Sequence, residues 1–152
     1  MSRAKIIVSS PARGIYFEGT LASGQTPKPG TCISEKSDGT WEAWNGAADG
    51  EQDLVAVLLE DSLQGNGVGT AYADGAHFFA YIPATGELLQ MLLQNQSGTG
   101  DAFAITAKLI IDDGTGKLIA TTGSPEMEPF KVKETTAALS ADTLVLCQYT
   151  GH

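Results

Sequence analysis

The chain has 152 residues, a net charge of -9, 18 glycines and only 18% charged side chains against 42% hydrophobic ones. That length gives one domain whose folding buries roughly 70% of the unfolded surface, so neither a disulfide nor a metal is needed to hold it together. Sparse charge and many glycines argue against salt-bridged helices and for short strands joined by turns. So acidic a chain also repels phosphate backbones, which argues against direct nucleic-acid binding.

The charge is unevenly spread, with five basic and two acidic groups in residues 1–36 against four basic and sixteen acidic in 37–152. Residues 1–13 are expected to form an extended basic arm, because Ile6, Ile7 and Val8 make a short strand-like run that Ser9, Ser10 and Pro11 interrupt. The expected division is this arm and a single β domain over 14–152. The arm is expected to stand off the body and join a neighbouring protein by strand addition. Ile6, Ile7 and Val8 would supply main-chain hydrogen bonds to a sheet edge, while Arg3, Lys5 and Arg13 would pair with acidic groups. Ile15 and Tyr16, where the body begins, complete the expected interface. Three apolar residues are too few for a secretory signal, and no run approaches the about 20 needed for a membrane helix. The expectation is a protein that remains in the cytoplasm that makes it and off the membrane.

In chain order, residues 15–17 read as a short strand closed by Gly19. Residues 30–35 and 40–44 read as a hairpin around the turn at 36–39. The apolar run 54–59 suits a strand buried on both faces. Residues 70–72 and 77–82 read as a second hairpin about Asp74-Gly75. Residues 87–94 are all strong helix formers, yet eight residues are few for a helix, which favours a strand. The clearest element is a hairpin over 103–123, with Ile105, Ala107, Leu109 and Ile111 on one side of a period-2 register, Leu118 and Ala120 on the other strand, and the turn at 112–116. Strands at 130–134 and 144–149 complete an all-β fold, a small β-sandwich or barrel built from hairpins.

The chemistry-bearing residues point to no catalytic centre. With His77 and the terminal His152 alone, no zinc or iron ligand set can be drawn, and no metal or cofactor is expected. Cys32 and Cys147 sit in strand-like runs and read as buried free thiols of a reducing compartment. Asp112 and Asp113 lack the alternating ligands of a calcium loop and read as a turn. The glycine-rich stretches 65–69 and 97–100 lack the flanking elements of a phosphate loop. No nucleophile stands beside a base. Trp41, Trp44, Tyr72, Phe78, Phe79 and Tyr81 are expected largely in the core, although a carbohydrate-binding β-sandwich, as in a phage fibre or lectin, would use such aromatics on its surface.

The order of segments carries one resemblance: Pro29-Gly30-Thr31 and its hairpin, the run 54–60, Tyr72-Ala73-Asp74-Gly75, Tyr81-Ile82-Pro83-Ala84-Thr85-Gly86-Glu87, the run from Leu109 to Lys117-Leu118, Pro129-Phe130-Lys131-Val132-Lys133-Glu134, and 144–149. Over most of residues 26–149 this resembles the decoration, or cement, proteins of tailed-bacteriophage capsids. The resemblance implies a non-enzymatic structural protein on the outer surface of the virion. There it would assemble as a homotrimer on the expanded head and clamp major capsid protein subunits. An apolar inventory of Leu88, Leu89, Leu92, Leu93, Phe78 and Phe79, read as more than one small core hides, fits the expected trimer. One departure is visible: where that family often has Gly-Asp before the strand opening the late hairpin, this chain has Thr106-Ala107-Lys108.

Overall fold

A computed structural model describes residues 5–9, 12–46, 54–65, 67–94, 102–121 and 128–151. Among them ten strands form: β1 (Ile15–Thr20), β2 (Cys32–Glu35), β3 (Trp41–Ala43), β4 (Ala56–Leu58), β5 (His77–Ile82), β6 (Leu88–Leu93), β7 (Lys108–Ile111), β8 (Leu118–Ala120), β9 (Phe130–Val132) and β10 (Thr143–Tyr149). Five make an antiparallel sheet in the order β1-β5-β4-β2-β3, and the other five close on themselves as β10-β6-β8-β7-β9. Only β6 and β8 run parallel, meeting at Leu93 and Leu118. The all-β body is therefore a sheet packed on a small barrel.

Strand alternation divides the core in two. Cys32, Val57 and Tyr81 of the sheet join Leu89, Met91, Leu93, Leu109, Phe130 and Val145 of the barrel in one cluster. Ile33, Ala56, Leu58, Phe78 and Ala80 face the other way and pack with Leu21 and Tyr72. Both faces of β4 are thus buried, as its unbroken apolar run requires. The sheet curls around its second cluster until Leu21, just past β1, bridges Trp41 of β3.

β6 is the hub of the barrel. The run 87–94 that contains it favours helix in isolation, but eight residues between turns cannot recover the cost of helix nucleation, whereas the strand finds partners along both edges. One edge pairs with β10 over six residues, from Leu93 with Thr143 to Leu88 with Gln148. Three unrelated segments tile the other edge: Gln90 N–H donates to Ile6 O at 2.7 Å, Leu92 N–H to Gly30 O at 3.0 Å and Gln94 N–H to Leu118 O at 2.9 Å. Five of its six side chains are buried.

The β2–β3 and β7–β8 hairpins form in the expected places, with Ile33 opposite Ala43 and Ile110 opposite Ile119. The turn of the second hairpin docks on the first: Cys32 N–H donates to Gly116 O at 2.8 Å and Gly114 N–H to Trp44 O at 2.7 Å. Gly116 has a φ of 67°, and a Cβ there would lie 2.1 Å from Cys32 O, so only glycine serves.

Several expectations are corrected. β7 starts at Lys108, and Ile105 lies outside it in a turn, half exposed. Thr106 in that turn has a φ of 74°, a conformation that favours glycine. This is the place where the resemblance leads one to expect Gly-Asp. Residues 70–72 form no strand, because Tyr72 is drawn to the 23–30 loop, its N–H donating to Pro27 O at 2.9 Å. Gly19 does not close β1 but sits inside it, making room for Phe78, whose ring would stand 2.7 Å from a Cβ. The apolar surplus invoked for a trimer is absorbed by the monomer: Leu89, Leu93 and Phe78 are fully buried and Leu92 nearly so, with Leu88 and Phe79 half-buried.

Candidate interaction surface

The described part of the amino-terminal segment lies on the body, and the expectation of a detached arm fails there. Ile6 is fully buried and belongs to the large core cluster. Ile7 bridges Leu89, Val8 N–H donates to Leu88 O at 2.9 Å, and Ser9 Oγ accepts from Leu88 N–H at 2.5 Å. Ile6 N–H donates to Glu60 Oε2 at 3.0 Å. The physical reason is the half-empty edge of β6, which takes these residues as a short added strand in the same chain. Strand addition was the expected mode, but the acceptor is the protein's own sheet. Arg3 lies outside the described residues.

Ahead of β1, residues 12–14 lie over a buried carboxylate that no sequence pattern singles out. Glu87, 4% exposed, accepts from Tyr81 Oη at 2.6 and 2.8 Å, from Ala84 N–H at 2.8 Å and from Arg13 N–H at 3.2 Å. Tyr81 Oη in turn accepts from Gly14 N–H at 2.6 Å. Burial by itself would raise the Glu87 carboxyl, but the hydrogen bonds from Tyr81, Ala84 and Arg13, with the Gly14 amide close by, outweigh it and hold the group below its ordinary value. Tyr81 is pushed up to about 12, first by burial and then by its bond to Glu87. Gly14 admits no side chain, since a Cβ would lie 2.1 Å from Ile82 O and 2.6 Å from the Tyr81 ring.

The exposed apolar side chains of this end are Val8 at 45%, Ile15 at 63% and Tyr16 at 61%. Tyr16 lies on Tyr81 with ring centroids 4.9 Å apart, and Val8 and Arg13 share a shallow groove with Ser9, Thr85, Gly86, Glu87 and Leu88. β1 is an edge strand that pairs only with β5 among the described strands, and just past its end Leu21 bridges Trp41 of β3. Of the sequence-predicted interface, the structure therefore brings Val8, Arg13, Ile15 and Tyr16 to the surface and commits Ile6 to the interior. Lys5 is exposed and Ile7 half-buried.

The other candidate residues have structural places. His77 lies on β5 with its Nε2 3.7 Å from Glu18 Oε1. Asp113 Oδ1 accepts from Gly46 N–H at 3.1 Å, and Asp112 Oδ2 from Thr115 Oγ1 at 2.6 Å, as a turn requires. Cys32 and Cys147 are free and buried, and burial pushes the Cys32 thiol up, away from the reactive thiolate. Tyr72, Tyr81 and Trp44 are buried, while Phe17, Trp41 and Phe78 stack together around the smaller core. Among the described residues no three His, Cys, Asp or Glu side chains gather where they can hold a metal. No protein-family model matches the chain, and no curated protein matches it.

Proposed function

We propose that the protein works by binding rather than catalysis, as a decoration module that sits on the outside of an expanded phage head, assembles there as a homotrimer and clamps major capsid protein subunits. The capsid identity rests on the order of segments that resembles the cement proteins. The observation that supports a protein-binding role is the outer edge of β1. Solitary β proteins blunt such edges with lysine, proline or bulges. β1 carries Ile15, Tyr16 and Phe17 with Glu18 as its only charge, and away from the Leu21–Trp41 bridge past its far end no described strand pairs with its outer side. A neighbouring strand laid along it would gain main-chain bonds and cover Ile15 and Tyr16 together.

The test is co-sedimentation with purified expanded and unexpanded heads. The protein should travel with expanded heads. Ile15→Asp, which places a charge on the exposed rim at a residue outside both core clusters, should lower that binding by about tenfold or more. Light scattering of the protein released from heads should give about three times the chain mass. Failure of the protein to sediment with any heads overturns the capsid reading.

A further inference from the structure

We propose that residues 5–9 and 12–14 form a strap latched across the barrel by the buried Glu87 carboxylate, and that protonating Glu87 releases its latched end, residues 12–14, while the rest of the fold stays closed. The inference concerns the chain itself and holds whether or not the protein decorates a shell.

The strap has three attachments of different kinds. At its start Ile6 fills the core and its N–H is held by the Glu60 carboxylate. In its middle Val8 N–H and Ser9 Oγ bond the backbone of Leu88. At its end two consecutive amides, Arg13 N–H and Gly14 N–H, converge on the Glu87–Tyr81 pair. Ionised Glu87 has enough lone pairs for Tyr81 Oη, Ala84 N–H and Arg13 N–H at once. Protonation turns one of its oxygens into a donor and weakens the group as an acceptor, so the Tyr81, Ala84 and Arg13 donors then compete for what acceptor capacity remains.

The tight Ala84–Glu87 turn, within one short connection, retains its bond most easily. The long-range contact to Arg13 is the one released. The groups that face the carboxylate are few. β5 supplies Tyr81, β1 supplies Tyr16 lying on Tyr81, and the strap supplies Arg13. β10 contributes the backbone of Tyr149, whose ring is turned to Phe130 at 5.4 Å. Among the described residues that line the groove, Glu87 and Arg13 are the only charged ones. The carboxyl, held low by its donors, keeps the latch shut at neutral pH and opens it only in acid.

Two experiments on the full chain decide this. Trypsin cuts after Arg13, whose following amide is Gly14 N–H, and cleavage requires that peptide to leave Tyr81. At neutral pH, Glu87→Gln should be cut after Arg13 about tenfold faster or more than the wild type. Cleavage after Lys108 and Lys131, on β7 and β9, should be unchanged. Should Glu87→Gln fail to fold, hydrogen exchange of the wild type, corrected for the intrinsic effect of pH, gives the same answer. As pH falls below the ordinary carboxyl value of 4.5, the Gly14 amide, which is tied to the Glu87–Tyr81 pair and not to Glu60, should lose protection about tenfold or more. The amides of Cys32 and Val132, bonded to Gly116 and Ala107, should keep theirs. Equal cleavage rates in a folded variant, or a Gly14 amide that stays protected until the barrel itself unfolds, overturn the proposal.

Discussion

Replacing Ile6 with Ala separates a packed amino-terminal segment from a dangling one more directly than any other single change. Ile6 is fully buried against the large core, so the substitution removes three carbons from a closed site. At about 0.8 kcal/mol for each buried methylene, the transfer loss is about 2.4 kcal/mol. A residual cavity adds to it, which puts the expected cost inside the about 2–5 kcal/mol range of such truncations, towards its lower half because a segment near the chain end relaxes into the gap. For a chain of this length that is a fall in melting temperature of about 5–12 °C. Urea titration followed by tryptophan fluorescence should show a lower midpoint with an unchanged slope. Val8→Ala, at a half-exposed position two residues on, should change stability by about 0.5 kcal/mol or less. If Ile6→Ala is as silent as Val8→Ala, the segment does not pack on the barrel in solution, and the strap is refuted with it.

Leu109→Asp should leave the protein unfolded, because it buries an unpaired carboxylate between Ala120 and Phe130 at a fully enclosed position, and near-UV circular dichroism would expose a mistake by remaining native. Thr106→Gly should stabilise the fold by about 0.5–1 kcal/mol, since relief of the left-handed backbone outweighs the added chain entropy, and a lowered melting temperature would contradict that account. Stability should also depend on pH through Glu87. Its folded pKa is below the ordinary 4.5, so its contribution is complete above 4.5 and is lost as pH falls through the folded value. Glu87→Gln should therefore be less stable at neutral pH and show a flatter acid limb in denaturant midpoints. Parallel acid limbs for the two proteins would remove Glu87 from the explanation.

What the sequence made legible was local. The two hairpins follow from turn residues set between apolar runs, and the strand state of β6 follows from its length rather than its composition. What it hid depends on partners far along the chain. Tyr72 looks like a strand residue until Leu59 O and Pro27 O, accepting from its hydroxyl and amide, take it away from β5. Glu87 looks like a surface acid at the mouth of an apolar strand, because Arg13, whose amide it accepts, is 74 residues distant. The described residues 5–9 of the arm lie on the body for the same reason. The arm's basic charge suggested a partner elsewhere, while the feature that decides its position is an unfilled stretch of the β6 edge, visible only after the barrel has closed.

This placement ties the exposed edge to the interior. Tyr16 belongs to the outward rim of β1, yet its ring lies on Tyr81, and Tyr81 holds both Gly14 and Glu87. On the binding role proposed for β1, a partner that covers Tyr16 also shields Tyr81 and Glu87 from water. Hydrogen bonds to a charged group strengthen as their surroundings become drier. Binding would then tighten the latch and, by the reciprocity of linked equilibria, a loosened latch would weaken binding to the same degree. The end of the chain and the edge of the sheet thus act on one buried carboxylate, and the apolar rim cannot be covered without consequence for the strap.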